Sequence, residues 1–226
     1  MIDRQSLVVM TPSHHGEVCT GYVSGLLQCS DLIGGTAFIV GMSEINLARN
    51  LMVNAFLNLP EQFEWLVMID ADLEFSRQDF LYLCEEFPLM DYTAVGEGVT
   101  ATHAIVSAEY ARRPIDARAP TPRGPAKLAV GFARIHRQVF AALREVKNSE
   151  GHELVQTFFR QGQVLHDYFP TGAQGDGHWL SEDHGFFRLC QLAGIIPRIE
   201  CRAQLIHWGR HGARYESGVV ASPALD

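Results

Sequence analysis

The sequence predicts a single α/β domain, built on parallel strands that are covered by helices. The main observation is the stretch Trp65 to Ile69, in which five consecutive residues are apolar. Such an uninterrupted run is typical of a strand buried on both faces of a sheet. The chain has 226 residues, of which 47% are apolar, so it can fill one large domain of this class. No feature of the sequence requires a second domain.

Strands and helices alternate in the part of the chain before this strand. Leu7 to Met10 predicts a first strand, which ends in a turn at Thr11-Pro12-Ser13 where a ligand-binding loop would lie. Thr36 to Val40 predicts a second strand. Between them we expect a helix, because the apolar residues of this segment lie close to helical spacing: Val18, Tyr22, Val23, Leu26 and Leu27.

A helix with clear end signals follows the second strand. We expect Ser43 as its N-cap, Glu44 in its first turn and Pro60 as its end. Its predicted apolar stripe consists of Ile45, Ala48, Met52 and Ala55.

The chain after Ile69 continues with a helix, a strand and a loop. Ser76 to Asp79 matches a capping box, and the helix that it opens is stopped by Pro88. Tyr92 to Thr100 predicts a strand that is broken by glycines. Residues 107–125 are rich in Pro, Arg and Ala without periodicity, so we expect a flexible loop, which at this length is usually functional or mobile.

The last hundred residues predict further elements of both kinds. Ala126 to Ile135 is a predicted strand that leads into a helix, and Phe158 to Tyr168 is a predicted hairpin. Phe169 to Trp179 is so rich in glycine that it predicts a loop. A helix with Ser181 as N-cap and Gly194 at its C-cap follows. Two strand-like segments, Ile195–Ile199 and Ala203–Ile206, complete the set.

Composition excludes several classes of protein. A formal net charge of −8 argues against a nucleic-acid binder with a wholly basic surface. Five scattered cysteines without a C-x-x-C pair argue against a disulfide framework or a zinc knuckle. Residues 1–10 match neither a signal peptide nor a membrane anchor, so we expect a soluble, cytoplasmic protein. A local basic window could face an anionic acceptor, although a solvated loop is the commoner explanation; it contains Arg112, Arg113, Arg118, Arg123, Lys127, Arg134 and Arg137.

Two acidic pairs mark candidate chemistry. Asp70 and Asp72 follow the buried strand, and in an extended chain both would point to the same side. Two carboxylates there suit a hard divalent cation that holds phosphate oxygens, but solvated turn aspartates fit equally well. Glu182 and Asp183 lie in a first helical turn, where they either complement the helix dipole or supply a general base.

Two further residues have both a functional and a purely structural explanation. Arg49, in the second turn of its helix, could reach a phosphate or a base at the sheet edge, or could lie on the surface. His207 ends a predicted strand, where it is available to a metal, although a lone histidine is more often structural.

Taken in order, these pieces resemble the GT-A family of nucleotide-sugar-dependent glycosyltransferases, especially small glycosyltransferase-2-like enzymes of bacteria and phages. The resemblance rests on Thr11-Pro12, the helix Ser43 to Asn50, the D-x-D triplet Asp70-Ala71-Asp72, the Glu182-Asp183 helix start and the late His207-Trp208-Gly209. It implies a Rossmann-like single domain over residues 1–226, with a mixed, mostly parallel central sheet flanked by helices. Residues 1–100 would bind the nucleotide sugar, and residues 101–226 would bind the acceptor and supply the metal histidine.

The resemblance also implies roles for individual residues. Asp72 resembles a Mn²⁺ or Mg²⁺ ligand, with Asp70 as its partner and His207 as the second protein ligand. Asp183 resembles the base of inverting members, with Glu182 beside it. The remaining implied residues contact the donor. Thr11 and Pro12 would line the nucleoside pocket, and Arg49 would approach the base or the diphosphate. Arg210 and His211 would clamp the diphosphate.

The function implied is metal-dependent transfer of a sugar from a nucleoside-diphosphate sugar, with UDP-sugar as the first choice, to an acceptor hydroxyl. Family members act on hydroxymethylated phage DNA bases, in a host cytoplasm, or on surface glycans. A sugar-phosphate nucleotidyltransferase is less favoured, because the loop after the first strand lacks a glycine-rich, basic sequence. A metallohydrolase and a nucleotide-binding module with a decayed site stay open as alternatives; the hydrolase would use His178, Asp183, His184 and His207.

Overall fold

The computed structural model describes residues 6–84, 104–108, 129–173, 179–208 and, for the backbone, 214–216. Within these residues the chain forms a six-stranded central sheet, two small two-stranded ribbons and one three-stranded ribbon. Helices cover both faces of the central sheet.

The strands of the described chain are numbered in order. They are β1 (Leu7–Ser13), β2 (Gly35–Val40), β3 (Trp65–Ile69), β4 (Leu73–Glu74), β5 (Ile105–Ala108), β6 (Phe132–His136), β7 (Gln156–Arg160), β8 (Gln163–Asp167), β9 (Gly172–Ala173), β10 (Trp179–Leu180), β11 (Arg198–Glu200), β12 (Ile206–Trp208) and β13 (Arg214–Glu216). The α-helices are α1 (Thr20–Gln28), α2 (Ile45–Leu57), α3 (Arg77–Cys84), α4 (Arg137–Arg144) and α5 (Glu182–Leu192), and a short 3₁₀ turn spans Ser30–Leu32.

The central sheet is mixed and mostly parallel, as predicted. Its strand order is β11-β5-β6-β3-β1-β2. β1 runs parallel to both β2 and β3, and β11 runs parallel to β5, whereas β6 is antiparallel to both of its neighbours. The carboxyl ends of β1, β2 and β3 therefore meet at one edge of the sheet, where open α/β folds bind ligands.

The core forms two layers, because successive residues of a strand point to opposite faces of the sheet. Leu66 and Met68 of β3 pack with α2, α4 and α5 on one face. Trp65, Val67 and Ile69 pack with α1 and α3 on the other. All five residues of β3 are buried, which confirms the prediction for this strand.

Helix α2 differs from the prediction at its start and in its buried face. It begins at Ile45 with Glu44 as the N-cap residue, and no side chain caps it, so the prediction for Ser43 was wrong. Its buried face includes the polar residues Asn50 and Asn54. Their side-chain amides form hydrogen bonds with the end of β8; Asn50 Nδ2, for example, donates to Asp167 Oδ1 at 2.6 Å. These hydrogen bonds explain why polar residues are buried where the prediction had an apolar stripe.

Two other helices start where they were predicted. Ser76 and Asp79 form the predicted capping box, with Ser76 N–H donating to Asp79 Oδ2 at 2.8 Å. Ser181 is the N-cap residue of α5, although its hydroxyl bonds His184 Nδ1 and does not cap the helix. The hairpin of β7 and β8 is also present, with Gln161 and Gly162 at positive φ in its two-residue turn.

Several strand boundaries are shifted. β6 begins at Phe132, so residues 129–131 are not part of the strand that was predicted from Ala126. Ser107 and Ala108 belong to β5, not to the predicted loop of 107–125. The glycine-rich segment contains the short pair β9 and β10. β11 and β12 each begin three residues later than predicted, and they end one and two residues later, respectively. The predicted strand at 92–100 and the rest of the loop lie outside the described residues.

Two further findings concern cysteines and membrane helices. All five cysteines are free, with Cys29 and Cys190 fully buried and Cys201 exposed. In the part of the chain that the structure describes, no helix combines the length and hydrophobicity needed to cross a bilayer.

Candidate functional site

A cleft of about 670 Å³ opens at the carboxyl ends of the first three strands. This volume is in the range of pockets that hold small-molecule ligands. The cleft brings together most of the predicted site residues, from segments distant in the sequence. Of the predicted residues, it is lined by Pro12, Arg49, Asp70, Asp72, Glu182, Asp183 and His207.

The D-x-D triplet forms a turn and is not extended. Leu73 N–H donates to the carbonyl of Asp70 at 3.1 Å, which closes a four-residue turn directly after β3. The expectation that both carboxylates point to the same side, which assumed an extended chain, therefore does not apply. Asp70 and Asp72 still line the same cleft, but each has a different partner.

Asp72 is paired with His207 through a strand contact that sequence patterns did not predict. β12 pairs antiparallel with β4, placing His207 opposite Leu73, and Trp208 N–H donates to the carbonyl of Asp72 at 2.8 Å. As a result, His207 Nε2 lies 3.3 Å from Asp72 Oδ1. The Trp208 indole N–H donates to Glu74 Oε2 at 2.8 Å and holds the two strands together from the other side.

Arg49 occupies the junction between the two acidic pairs. Its side chain is only 2% exposed, so the surface explanation is wrong. Nη2 lies 3.2 Å from Asp70 Oδ1 and 3.8 Å from Asp183 Oδ1, and Nε lies 3.8 Å from Glu182 Oε1. The guanidinium therefore faces carboxylates of both motifs, which are more than a hundred residues apart in the sequence.

Asp183 is a buried carboxyl in the first turn of α5. Its pKa is raised from 3.8 to about 6, chiefly by burial; the Arg49 guanidinium lowers the pKa, and the neighbouring carboxylates Glu182 and Asp70 raise it. The backbone N–H of Val130 donates to Asp183 Oδ1 at 3.3 Å and also favours the charged form. A carboxyl with a pKa near 6 is ionised at neutral pH and basic enough to accept a proton.

The residues present can supply ligands for a divalent cation. Asp72 and His207 offer a carboxylate oxygen and an imidazole nitrogen at one point of the cleft, both of which are ordinary ligands of Mn²⁺. Among the described residues, no group of three His, Cys, Asp or Glu side chains converges in the geometry of a complete metal site. Asp70, the third predicted ligand, faces Arg49 in this structure.

Thr11 does not line the cleft, contrary to the prediction. It is fully buried, and its hydroxyl oxygen lies 2.6 Å from the hydroxyl of Tyr22 on α1. The side chain follows the alternation of β1 toward the layer of α1 and α3, whereas Pro12 and Ser13 reach the cleft.

Several cleft residues were not predicted from the sequence. They lie mainly in the loops after β1 and β2, and their signal was their position after two strands that run parallel to β3 on the same side of it in the sheet. They are Ser13, His14, His15, Glu17, Val18, Cys19, Met42, Ser43 and Trp208. The first loop is tied to the D-x-D turn, because Cys19 N–H donates to the carbonyl of Ala71 at 2.8 Å.

The residues of the alternative hydrolase site are not all present in the cleft. His184 does not line it and lies 3.0 Å from the Ser181 hydroxyl, while His178 lies outside the described residues. Arg210, His211 and most of the basic window also lie outside the described residues. Within that window, Arg137 donates to the backbone carbonyls that end α2, so it has a structural role.

Comparisons with known proteins show the fold. No family model and no curated protein matches the sequence. Among solved structures, A197 from STIV has a TM-score of 0.51 at 14% identity, over 90% of this chain and 85% of that chain. A glycosyltransferase involved in the glycosylation of the major capsid of PBCV-1 has a TM-score of 0.36 at 9% identity, over 60% of this chain and 62% of that chain. The first similarity shows that this chain shares the α/β fold of A197 from STIV.

Proposed function

We propose that this protein is a metal-dependent glycosyltransferase that moves a sugar from a nucleoside-diphosphate sugar to an acceptor hydroxyl. The observation that carries the proposal is the meeting of the Asp72–His207 pair and the buried Asp183 in one cleft. A pair of cation ligands and a carboxyl with a pKa near neutrality are the two elements that such a transfer needs.

The charge of the cleft supports metal dependence. Among its described lining residues, five carry carboxylates and a single one, Arg49, carries a guanidinium. A nucleoside diphosphate is itself anionic, so an acidic cleft binds it only with a cation between the two sets of oxygens. Asp72 and His207 are the residues that would hold Mn²⁺ or Mg²⁺, with Asp70 beside them.

Each residue has a defined task in the proposed reaction. The acceptor oxygen attacks the anomeric carbon of the donor, the bond from that carbon to the phosphate oxygen breaks, and the acceptor proton passes to Asp183. The bound cation would offset the negative charge that develops on the diphosphate. Glu182 lies beside Asp183 and contributes to the negative field that makes the carboxylate basic. The task of Asp183 applies to an inverting reaction.

The loop after β1 is the proposed wall of the nucleoside pocket. Pro12 and Ser13 line the cleft at the end of this strand, next to the exposed His14 and His15. This loop carries no lysine or arginine from Thr11 to Cys19, which favours a diphosphate held by a cation over a triphosphate held by a basic loop.

The test is a thermal-shift titration with UDP, with and without Mn²⁺. We expect UDP to raise the melting temperature only when Mn²⁺ is present, because ligand binding to the folded state stabilises it by mass action. Asp72→Asn and His207→Gln should abolish the shift, whereas Asp183→Asn should keep it and lose transfer. Asp31→Asn is the matched control, since Asp31 pairs with Arg77 on the surface.

Three outcomes contradict the proposal. They are the absence of a metal-dependent shift with any nucleoside diphosphate, a normal shift in Asp72→Asn, and normal turnover in Asp183→Asn. Mass spectrometry of products, with a panel of sugar donors and with simple glycans and hydroxymethylated DNA as acceptors, then identifies both substrates.

A further inference from the structure

The position of Arg49 does not fit the role of a phosphate-binding arm. A residue that grips a donor phosphate extends its donors into the open cleft, but Arg49 is 2% exposed and is among the largest fully buried side chains of the described chain. Its guanidinium already faces Asp70, Glu182 and Asp183. A phosphate would have to compete with these three carboxylates for it.

Among the described residues, Arg49 is also the only cation that acts on the proposed base. The groups of the described chain that face Asp183 are Arg49 from α2, Glu182 from its own helix, Asp70 at the end of β3 and the N–H of Val130 before β6. Two of them are acids that oppose the ionisation of Asp183. Of the charged groups in the described ranges, the guanidinium is the one that favours it.

We propose that Arg49 is a positioning residue that joins the two acidic motifs and keeps Asp183 in place and in its charged form. The planar guanidinium suits this task, because its five donors can face several carboxylates at once. The assignment rests on the proposed function only in naming Asp183 as the base. The link between Arg49 and the three carboxylates stands without it.

The physical consequence concerns the charge of Asp183. An opposite charge within about 4–6 Å lowers a carboxyl pKa by roughly 1–3 pH units. With Arg49 present, the pKa of Asp183 is about 6. Removal of the guanidinium therefore raises the pKa of Asp183 to about neutral pH or above, so that about half or more of the base is protonated at neutral pH and cannot accept a proton.

The direct test is a ¹³C NMR titration of the Asp183 carboxyl, assigned with Asp183→Asn, in metal-free and nucleotide-free protein. We expect the pKa to rise by at least about 1 pH unit in Arg49→Met, less in Arg49→Lys, and not at all in Arg77→Met. Arg77 is the control because it pairs with Asp31 on the surface, away from the cleft. An unchanged pKa of Asp183 in Arg49→Met overturns the proposal.

A second measurement covers the loss of stability that Arg49→Met can cause. Asp183→Asn should stabilise the Arg49→Met background by more than it stabilises the parent, because in that background the buried carboxyl has lost its cation. The readout is the folded fraction in urea, or the yield of folded protein when the single variant does not fold. If Asp183→Asn stabilises the Arg49→Met background no more than it stabilises the parent, the proposal is overturned.

The kinetic readout separates positioning from phosphate binding. In Arg49→Lys we expect the acidic limb of the kcat profile to move to higher pH, with an unchanged KM for the donor. A raised donor KM with an unmoved pH profile assigns Arg49 to the phosphate and overturns the proposal. The NMR titration needs neither donor nor metal, so it remains decisive if the protein transfers no sugar.

Discussion

At the residue scale, Asp183 combines burial with charge. The residue is 9% exposed, and its pKa of about 6 results first from that burial. The unfolded chain exposes the same carboxyl to water, where it has its ordinary pKa of 3.8. The folded state therefore binds the Asp183 proton more tightly than the unfolded state does, and this difference links the stability of the fold to pH.

We predict that Asp183→Asn removes a loss of stability that the parent protein suffers as pH rises. The favourable contribution of Asp183 to the free energy of unfolding is fully present below about pH 4 and is lost as pH rises through about 6, because the carboxyl releases its proton at lower pH in the unfolded chain than in the folded one. Compared with its effect at pH 4, the substitution should raise the free energy of unfolding at pH 7 by on the order of 2–3 kcal/mol. Urea unfolding of both proteins at each pH measures the difference.

The comparison with the parent protein is needed because His136 has an effect of the opposite sign. Burial, with the charges of Arg134 and Arg137, lowers the pKa of His136 to about 4, so its contribution is present above about pH 6.5 and is lost as pH falls toward 4. His136 is the same in both proteins, and its contribution cancels. A variant whose stability tracks that of the parent at every pH would show that the Asp183 pKa is not raised.

At the element scale, helix α5 packs closely against the segment around Pro170, and this packing places Asp183 in the cleft. Gly185 is buried in the first half of α5, and a Cβ at this position would collide with the backbone carbonyl of Pro170. A glycine inside a helix costs about 1 kcal/mol relative to alanine, so its presence here is explained by the close contact and not by helix propensity.

We predict that Gly185→Ala destabilises the fold and moves α5. The backbone of Pro170 cannot rotate away as a side chain can, so we expect a loss of about 2 kcal/mol or more in the free energy of unfolding, despite the better helix propensity of alanine. The measurement is urea unfolding, with Gln191→Ala as the control because Gln191 is exposed on the same helix. Equal stability of Gly185→Ala and the parent would mean that α5 does not lie this close to Pro170.

The pairing of β4 with β12 is the element that sequence patterns could not predict. Strands of two and three residues are too short to show a period, and the two partners are more than a hundred residues apart. The buried strand Trp65–Ile69 and the start of the helix at Glu182 were predicted well, because each has its signal in neighbouring residues. His207 was predicted as a metal ligand only through the family resemblance, and the strand pairing places it next to Asp72.

At the scale of the whole molecule, charge bears on the acceptor. The chain has a formal net charge of −8, and the described cleft is acidic. Residues 112–127 carry most of the basic window and lie outside the described residues. A neutral glycan meets no electrostatic barrier at such a surface, whereas the phosphates of DNA are repelled by it.

We predict that duplex DNA with hydroxymethylated bases does not bind at 150 mM salt, which fluorescence anisotropy of a labelled duplex would measure. The control is a variant in which Arg112, Arg113, Arg118, Arg123 and Lys127 are changed to Gln. The prediction is contradicted if the parent protein binds the duplex, if that binding weakens by about 10³-fold or more between 50 and 200 mM salt, and if the variant does not bind. That outcome would assign the basic window as the DNA contact.

The sequence by itself determined the α/β class, the buried central strand and the two acidic motifs, because runs, periods and caps are local patterns that depend on neighbouring residues. Tertiary structure alone decided which side chains meet. It buried Arg49 between both motifs, placed His207 beside Asp72 and turned Thr11 away from the cleft toward Tyr22. These contacts depend on strand order and register, which join segments far apart in the chain and have no local pattern.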